Sequence, residues 1–477
     1  MLHKIDSGEF QMVKPIQAVL LGAGGRGLFT FGDFATQNPD QLKFVAVAEP
    51  DDYRREKFAE IHGISSQNCF TSWEELMKVD RVSSVLFNTT MDNSHFASSM
   101  AALEKGYDVV LEKPMAPTPQ ECSQLVAKST QLGKKLIIFH EMRYTKFFKT
   151  VFDIVQSGKL GELVNVEHRE NVVFWHYVHS FVRGNWRNTK DSAPFILAKC
   201  CHDLDLLYWI IGHKVKRLSS FGSLKYFKPS SAPREDLPER CTDGCPIEET
   251  CIFFAPRLYS GPAKKWRRIL EFGEDTANKS LDEILKVSDY GRCAYKCDNN
   301  VVDNQVVNLQ FENGILANFV TTAFANEPSR YVRLDGTKGT LIGELSGTNS
   351  QLIVSDHLSG NEESIDLETK YDEGQHGGGD SEMLFDIVNN LKVDQSIVHS
   401  VEDALESHLM ALAAEESRLN DGAIIDMEGF KSRYIYQSIF KIKFVQVDKN
   451  MNKFTICTIK LFYTALIRSL RVQIPRD

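Results

Sequence analysis

The chain has no uninterrupted run of about eighteen apolar residues, so no transmembrane helix is expected. It also lacks the basic-then-apolar start of a secretory leader. Asp6, Glu9 and Lys14 stand there instead. Positive charge is not in excess: 55 Lys and Arg against 64 Asp and Glu give a net charge of −9, which argues against nucleic acid or an anionic membrane as the main partner. Internal repeats and long low-complexity tracts are missing too, which removes repeat architectures. With no leader in view, ten cysteines imply a reducing compartment, and a cytoplasmic protein is expected.

What remains is an ordinary globular composition, 42% hydrophobic and 25% charged, in a chain of 477 residues that can support two domains. The apolar run Ile16 to Leu21 ends in Gly22-Ala23-Gly24-Gly25-Arg26-Gly27. A strand that turns through G-x-G-x-x-G into a helix is built for a pyrophosphate. The first glycine permits the turn, the second lets backbone approach the phosphates, and the third lets helix and strand pack closely. The helix N-terminus then supplies free N–H groups and the positive end of a dipole.

A second apolar strand, Phe44 to Ala48, ends in Glu49, about twenty residues past the loop, where a carboxylate can accept bonds from a ribose. That favours NAD, while Arg54 and Arg55 leave room for NADP. Further strands are expected at Val82 to Phe87, Tyr107 to Leu111 and Lys135 to Phe139. Helix starts are legible between them: Ser72 with Glu75 as a capping box, and Thr118-Pro119 with Glu121, a helix that Gly133 stops. Alternating strands and helices predict a doubly wound parallel α/β sheet, with ligands beyond the carboxyl ends of its strands. Lys113, in Glu112-Lys113-Pro114, and the Asn88-Thr89-Thr90 turn both fall there.

After residue 140 the pattern changes. Asn165 to Phe174 and Val301 to Ala325 look like long strands of an open, mostly antiparallel sheet. Between them lies a dense run of functional side chains, with His176, His179, Arg183 and Trp186 as candidates for binding a polyol or sugar. Lys199 and His202 are expected on a loop, at a domain surface, leading into a helix with Asp203 and Asp205 near its start and Gly212 at its end. Oxidising an alcohol carbon needs a base for the hydroxyl proton, and histidine suits that near neutrality. Packing histidines and a surface lysine are the competing readings.

Cys241, Cys245, Cys251, Cys293 and Cys297 cluster in a polar stretch between residues 225 and 300. Four thiolates could hold a structural zinc, or an iron–sulfur cluster, and free thiols are the other reading. Residues 431 to 477 form a basic tail, ten Lys or Arg against Asp448 and Asp477, with no assigned role.

These residues resemble the Gfo/Idh/MocA family of sugar and inositol dehydrogenases, over about Ile16 to Met427. The marks are the glycine loop, Glu49, His95 in Asn93-Ser94-His95, Glu112-Lys113-Pro114, Arg143-Tyr144 and His202-Asp203-Leu204-Asp205. The resemblance implies a Rossmann domain (residues 14–140) and a second α/β domain (141–430) for substrate binding and oligomerisation, with an open sheet and the cysteine insert. It implies that Lys113 contacts substrate hydroxyl and nicotinamide, that His202 is the acid/base, and that His95 lies near the nicotinamide. Thr89 and Glu112 join the cofactor site, and Arg143 and Asp203 the substrate site. It also implies homo-oligomers formed through the outer face of the second sheet. Family members often carry Asp-x-Gly-x-His ending at this histidine. Here the span reads Ala198-Lys199-Cys200-Cys201-His202, and Lys199 stands as the replacement candidate. The expected activity is hydride transfer between nicotinamide and a hydroxyl-bearing carbon. A redox-neutral glycosidase and a dinucleotide-binding regulator are the alternatives.

Overall fold

A computed structural model describes residues 14–347, 350–367, 376–393 and 400–434, and the backbone of a two-stranded ribbon, Leu2–Lys4 with Phe10–Met12. The basic tail beyond Tyr434 lies outside the described residues.

Six parallel strands form the first sheet, in the order Cys69–Phe70, Leu42–Ala48, Ile16–Leu21, Val85–Asn88, Asp108–Leu111, Leu136–Ile138. Strand order reverses at Ile16–Leu21, so the crevice beyond its carboxyl end is the place for a ligand in such a sheet. These strands are continuous apolar runs because helices cover both faces. Val85, Leu86, Phe87, Val109, Val110 and Leu111 are all buried.

The helix starts follow local chemistry. Thr118 accepts from the Glu121 N–H at the head of Pro119–Leu132, and Gly133 ends that helix in the left-handed region. Ser72 accepts from the Glu75 N–H, but the Glu75 carboxylate reaches Thr71 rather than Ser72, so the expected box is only half formed.

Nine strands form the second sheet, in the order Glu362–Asp366, Ser350–Asp356, Gly339–Ser346, Ser329–Gly336, Leu163–Val173, Leu316–Ala325, Asn304–Phe311, Val215–Ser223, Ile425–Asp426. Only Leu316–Ala325 beside Leu163–Val173 is parallel. The stretch Val301 to Ala325 is therefore not one strand but two, joined by a turn at Gly314, whose φ of +92° suits glycine. Burial alternates along Asn304–Phe311 and Leu316–Ala325, so one face of the sheet packs inward. The helix Val401–Leu419 lies against that side, touching Cys201–Ile211 and Val215–Ser223.

Beneath the site the sheet carries a buried charge cluster. Arg330 Nε is 2.9 Å from both Asp203 Oδ1 and Glu170 Oε2, and His168 Nε2 is 2.8 Å from the same Asp203 oxygen. Asp203 thus anchors the helix Cys201–Ile211 to the strands Leu163–Val173 and Ser329–Gly336. Replacing Arg330 with Met removes the guanidinium shared by two buried carboxylates, leaving Asp203 to His168 and Glu170 to Lys199, at a cost of about 3–5 kcal/mol. Urea denaturation should show that loss.

Candidate active site

The glycine loop is held from three sides. Gly22 has φ +85°, and a Cβ there would meet Thr89 O at 2.6 Å. At Gly27 a Cβ would lie 2.1 Å from Gly22 O, whereas at Gly24 it would meet nothing within 4 Å. The loop is therefore tight where strand meets helix and open where a pyrophosphate would approach, which fits a dinucleotide. Thr89 Oγ1 donates to Gly22 O at 2.5 Å and braces the turn.

Glu49 is buried and turned onto this loop. Its carboxylate accepts from Ala23 N–H at 2.6 Å and Asp51 N–H at 3.0 Å. The expected ribose acceptor thus also braces the loop backbone. Arg54 and Arg55 are committed as well, to Phe272 O and Glu49 O.

Arg26 joins the two motifs. Its Nε donates to Glu112 Oε1 at 2.6 Å and its NH2 to Asp380 Oδ1 at 2.7 Å. The other Glu112 oxygen accepts from Lys113 N–H at 3.1 Å. Lys113 is followed by a cis bond to Pro114 and donates from Nζ to Ala198 O at 2.8 Å. His95 is buried beneath this turn, with ring nitrogens 2.7 Å from Pro114 O and 3.0 Å from Thr90 O. It ties the lysine turn to the Asn88–Thr90 turn through backbone contacts. His408 supports the same turn by accepting from Met115 N–H at 2.8 Å.

His202 lies in the first turn of Cys201–Ile211 and is buried, not on a loop at a domain surface, because that helix begins one residue before it. Burial, and then the Lys113 ammonium, push its imidazole well below the ordinary histidine range. Neither ring nitrogen has a hydrogen-bond partner among the described residues. Nε2 is 3.4 Å from Glu141 Oε1. Glu141 begins the turn Glu141–Tyr144 and is also buried, with its carboxyl raised by desolvation. Its Oε1 lies 3.0 Å from His376 Nδ1, which lies 3.1 Å from Asp380 Oδ2. Arg26, first among the charges around Asp380, holds that carboxylate below its usual range against burial.

Lys199 corrects the surface expectation in the same way. It is buried with Nζ 3.1 Å from Glu170 Oε1, joining the charge cluster below the helix. His176 is half-buried and has Trp266 edge-on at 4.4 Å. Burial first, and then the charges of Lys199, His179, His376 and Lys113, push its imidazole well below the ordinary range.

The other candidates for substrate contact have partners within the protein. His179 bonds Tyr259 Oη at 2.9 Å and stacks on Tyr290. Arg183 is fully buried and donates to Arg292 O and Phe253 O, both at 2.7 Å. Trp186 donates to Asp92 at 3.1 Å. Arg143 forms a two-point pair with Asp205, each bond 2.5 Å, and Asp203 is spent on Arg330 and His168. Each contains a charge or donor that the fold itself must satisfy once buried. His140 Nδ1 adds a contact to Asp205 at 3.1 Å.

In the insert, no three of the thiols of Cys241, Cys245, Cys251, Cys293 and Cys297 come within 4.8 Å of one another. The structural zinc expectation is not met by this geometry. Instead Arg183 NH2 sits 3.5 Å from Cys241 Sγ, and burial raises Cys293, Cys251 and Cys297, the last to about 11.

Glu141, His376 and Asp380 were not among the sequence candidates. A signal was present: His376 and Asp380 flank Gly377-Gly378-Gly379, a tight polar turn entering a helix.

A Rossmann sheet, a glycine loop and a lysine at the strand edge beside a buried histidine define a class of dinucleotide-linked oxidoreductases. The chain belongs to the Gfo/Idh/MocA oxidoreductase family. Residues 16–140 match its NAD-binding Rossmann fold, and residues 153–424 its C-terminal α/β domain. YteT, a candidate oxidoreductase of Bacillus subtilis, is 24% identical over 348 residues, 70% of this chain and 78% of YteT. Inositol 2-dehydrogenase of Corynebacterium glutamicum is 26% identical over 231 residues, 48% of this chain and 62% of that enzyme. Among solved structures, an Azotobacter vinelandii inositol dehydrogenase homologue complexed with NADH and myo-inositol has TM-score 0.61 at 16% identity, covering 87% of this chain and 98% of that one. An Agrobacterium radiobacter oxidoreductase with NAD+, L-tartaric acid and magnesium has TM-score 0.62 at 16% identity, covering 87% and 99%. At these identities the structures establish a shared fold. No helix of the described residues is long and apolar enough to cross a membrane.

Buried histidines set a pH dependence. Burial takes His62 down to about 4, and His179 and His408 to about 3. The unfolded chain therefore binds protons that the folded one does not below about pH 6.5. Their contribution is complete above that pH and is lost as pH falls toward the folded values. Each adds a slope of up to about 1.4 kcal/mol per pH unit. Urea midpoints should fall from pH 7 to pH 5, the raised carboxyls of Glu141 and Asp33 offsetting part of the loss.

Proposed function

We propose that this protein is an NAD-dependent dehydrogenase that oxidises a hydroxyl-bearing carbon of a sugar, sugar derivative or inositol. One observation carries this reading: the Lys113 ammonium reaches Ala198 O, four residues before the buried His202, and its charge helps to hold that imidazole below the ordinary histidine range that burial already lowers. Bound NAD would supply the hydride acceptor, with the loop from Gly22 to Gly27, Thr89, Glu112 and Lys113 as the residues that hold it.

The chain's own groups do the rest. Lys113 binds the reacting oxygen and stabilises charge on it as its proton leaves. His202, kept neutral by burial, accepts that proton. Lys199 holds the loop before His202 through Glu170, and His176 with Trp266 lines the side where the remaining hydroxyls lie. The inositol dehydrogenases among the relatives support the substrate class. The preference for NAD over NADP rests on Glu49. Apolar Leu316 and Phe324 are exposed on the large sheet and support its use in homo-oligomers. A cytoplasmic location accords with this chemistry.

In a panel of sugars and polyols, Lys113→Ala should lower kcat at least about a hundredfold while NAD still binds, as transition-state stabilisation predicts. Absorbance of reduced nicotinamide follows the rate, and calorimetry the binding. Release of an aglycone with no net reduction of NAD would favour the redox-neutral glycosidase. Unchanged NAD binding with no activity to lose would favour the regulator.

A further inference from the structure

Oxidising an alcohol carbon breaks a C–H and an O–H bond. The hydride leaves with the nicotinamide, and the proton is left on His202, whose side chain is only 2% exposed. A buried imidazolium surrounded by Lys113, His140 and Arg330 is costly, so the proton needs a way out. Side-chain exposure traces one. Glu141 is 1% exposed, and His376 beyond it is 21% exposed.

We propose that Glu141 is the carboxylate partner of His202 and the middle station of a proton path that ends in solvent at His376. This rests on the dehydrogenase reading. The geometry has three independent supports. Both Glu141 oxygens and both His202 ring nitrogens are buried without a hydrogen-bond partner among the described residues, and they face each other at 3.4 Å. A fully buried, unbonded carboxyl is expensive unless it has a task. The next contact, Glu141 Oε1 to His376 Nδ1, is 3.0 Å. The separation of 3.4 Å is long for a hydrogen bond, and such contacts tighten when substrate binds.

Atoms balance along the path. One nitrogen of His202 takes the hydroxyl proton, and the nitrogen facing Glu141 gives one up to Oε1. With His376 in the tautomer protonated at Nε2, Glu141 passes the proton to Nδ1, where Asp380 Oδ2 also faces the new N–H, and the Nε2 proton leaves to water. No net charge stays behind. Asp380 Oδ2 contacts the same His376 Nδ1 at 3.1 Å, and Arg26 holds Asp380, so the outer station is fixed to the cofactor loop. The charged and titratable groups facing Glu141 are His202, His376, Asp380, Arg26 and Glu112. Glu141 also occupies the flank of His202 from a different element than Ala198, the position that carries no carboxylate in this chain.

The test has two arms. Histidine-labelled protein, without substrate, is titrated by NMR as wild type and as Glu141→Gln. The account predicts that the His202 and His376 midpoints both move down when the carboxylate is removed. In turnover, Glu141→Gln lowers kcat about a hundredfold with KM changed less than threefold, and Glu141→Asp recovers part of it. His376→Asn, at a half-exposed position, produces the same loss and serves if the Gln variant fails to fold. Unchanged midpoints together with an unchanged pH–rate profile would overturn the proposal. If no sugar or polyol is oxidised, the dehydrogenase reading fails, while the NMR arm still decides whether Glu141 governs the two histidines.

Discussion

The Arg26 guanidinium organises this site. It belongs to the glycine loop, yet its two arms reach Glu112, beside the site lysine, and Asp380, at the head of a helix more than three hundred residues away in the chain. A single planar cation with fixed donors can hold two carboxylates in set directions, which a lysine could not do. Both carboxylates are almost fully buried, so losing the guanidinium would leave them without their main counter-charge. The phosphate-binding loop, the Lys113 turn and the His376 turn are thereby coupled, and the remaining geometry of the site is built on that coupling.

Below the site a second set of buried charges does similar work. His168, Glu170, Asp203, Arg330 and Lys199 connect the helix bearing His202 to the large sheet. Arg143 and Asp205 fasten the next turn of the same helix, with Arg143 stacked on Trp209. Above the site the insert closes the other side. Phe272 packs edge-on against Phe29 and Tyr53, and Glu274 N–H donates to Asp51, so the insert rests on the dinucleotide-binding half next to the loop. Its cysteines lie as small, weakly polar groups around Arg183, which has Cys241 Sγ 3.5 Å from its NH2.

Much of this was legible in the sequence because local chemistry determined it. Gly22 needs a positive φ, Thr118 caps a helix, and an apolar strand places Lys113 at a sheet edge; each depends on neighbours within a few residues. Long-range pairing was not legible. Arg143 and Arg183 read as exposed binding cations, since nothing nearby in sequence shows that Asp205 and the insert bury them. Glu49 is legible as a ribose acceptor from its distance to the loop, but its bonds to Ala23 N–H and Asp51 N–H are not. Glu141 went unnoticed for a related reason: an acid after an apolar strand is commonplace, and only the fold sets it between His202 and His376.

The central claim is that the two motifs meet to move a hydride from a carbinol carbon. The most direct measurement is to incubate the protein with NAD and an inositol or sugar deuterated at its carbinol carbons, then to read the nicotinamide by NMR. The account predicts deuterium on the reactive ring carbon, delivered to one face only, and its absence in Lys113→Ala. Bound NAD that acquires no label from any member of a broad polyol and sugar panel would contradict it.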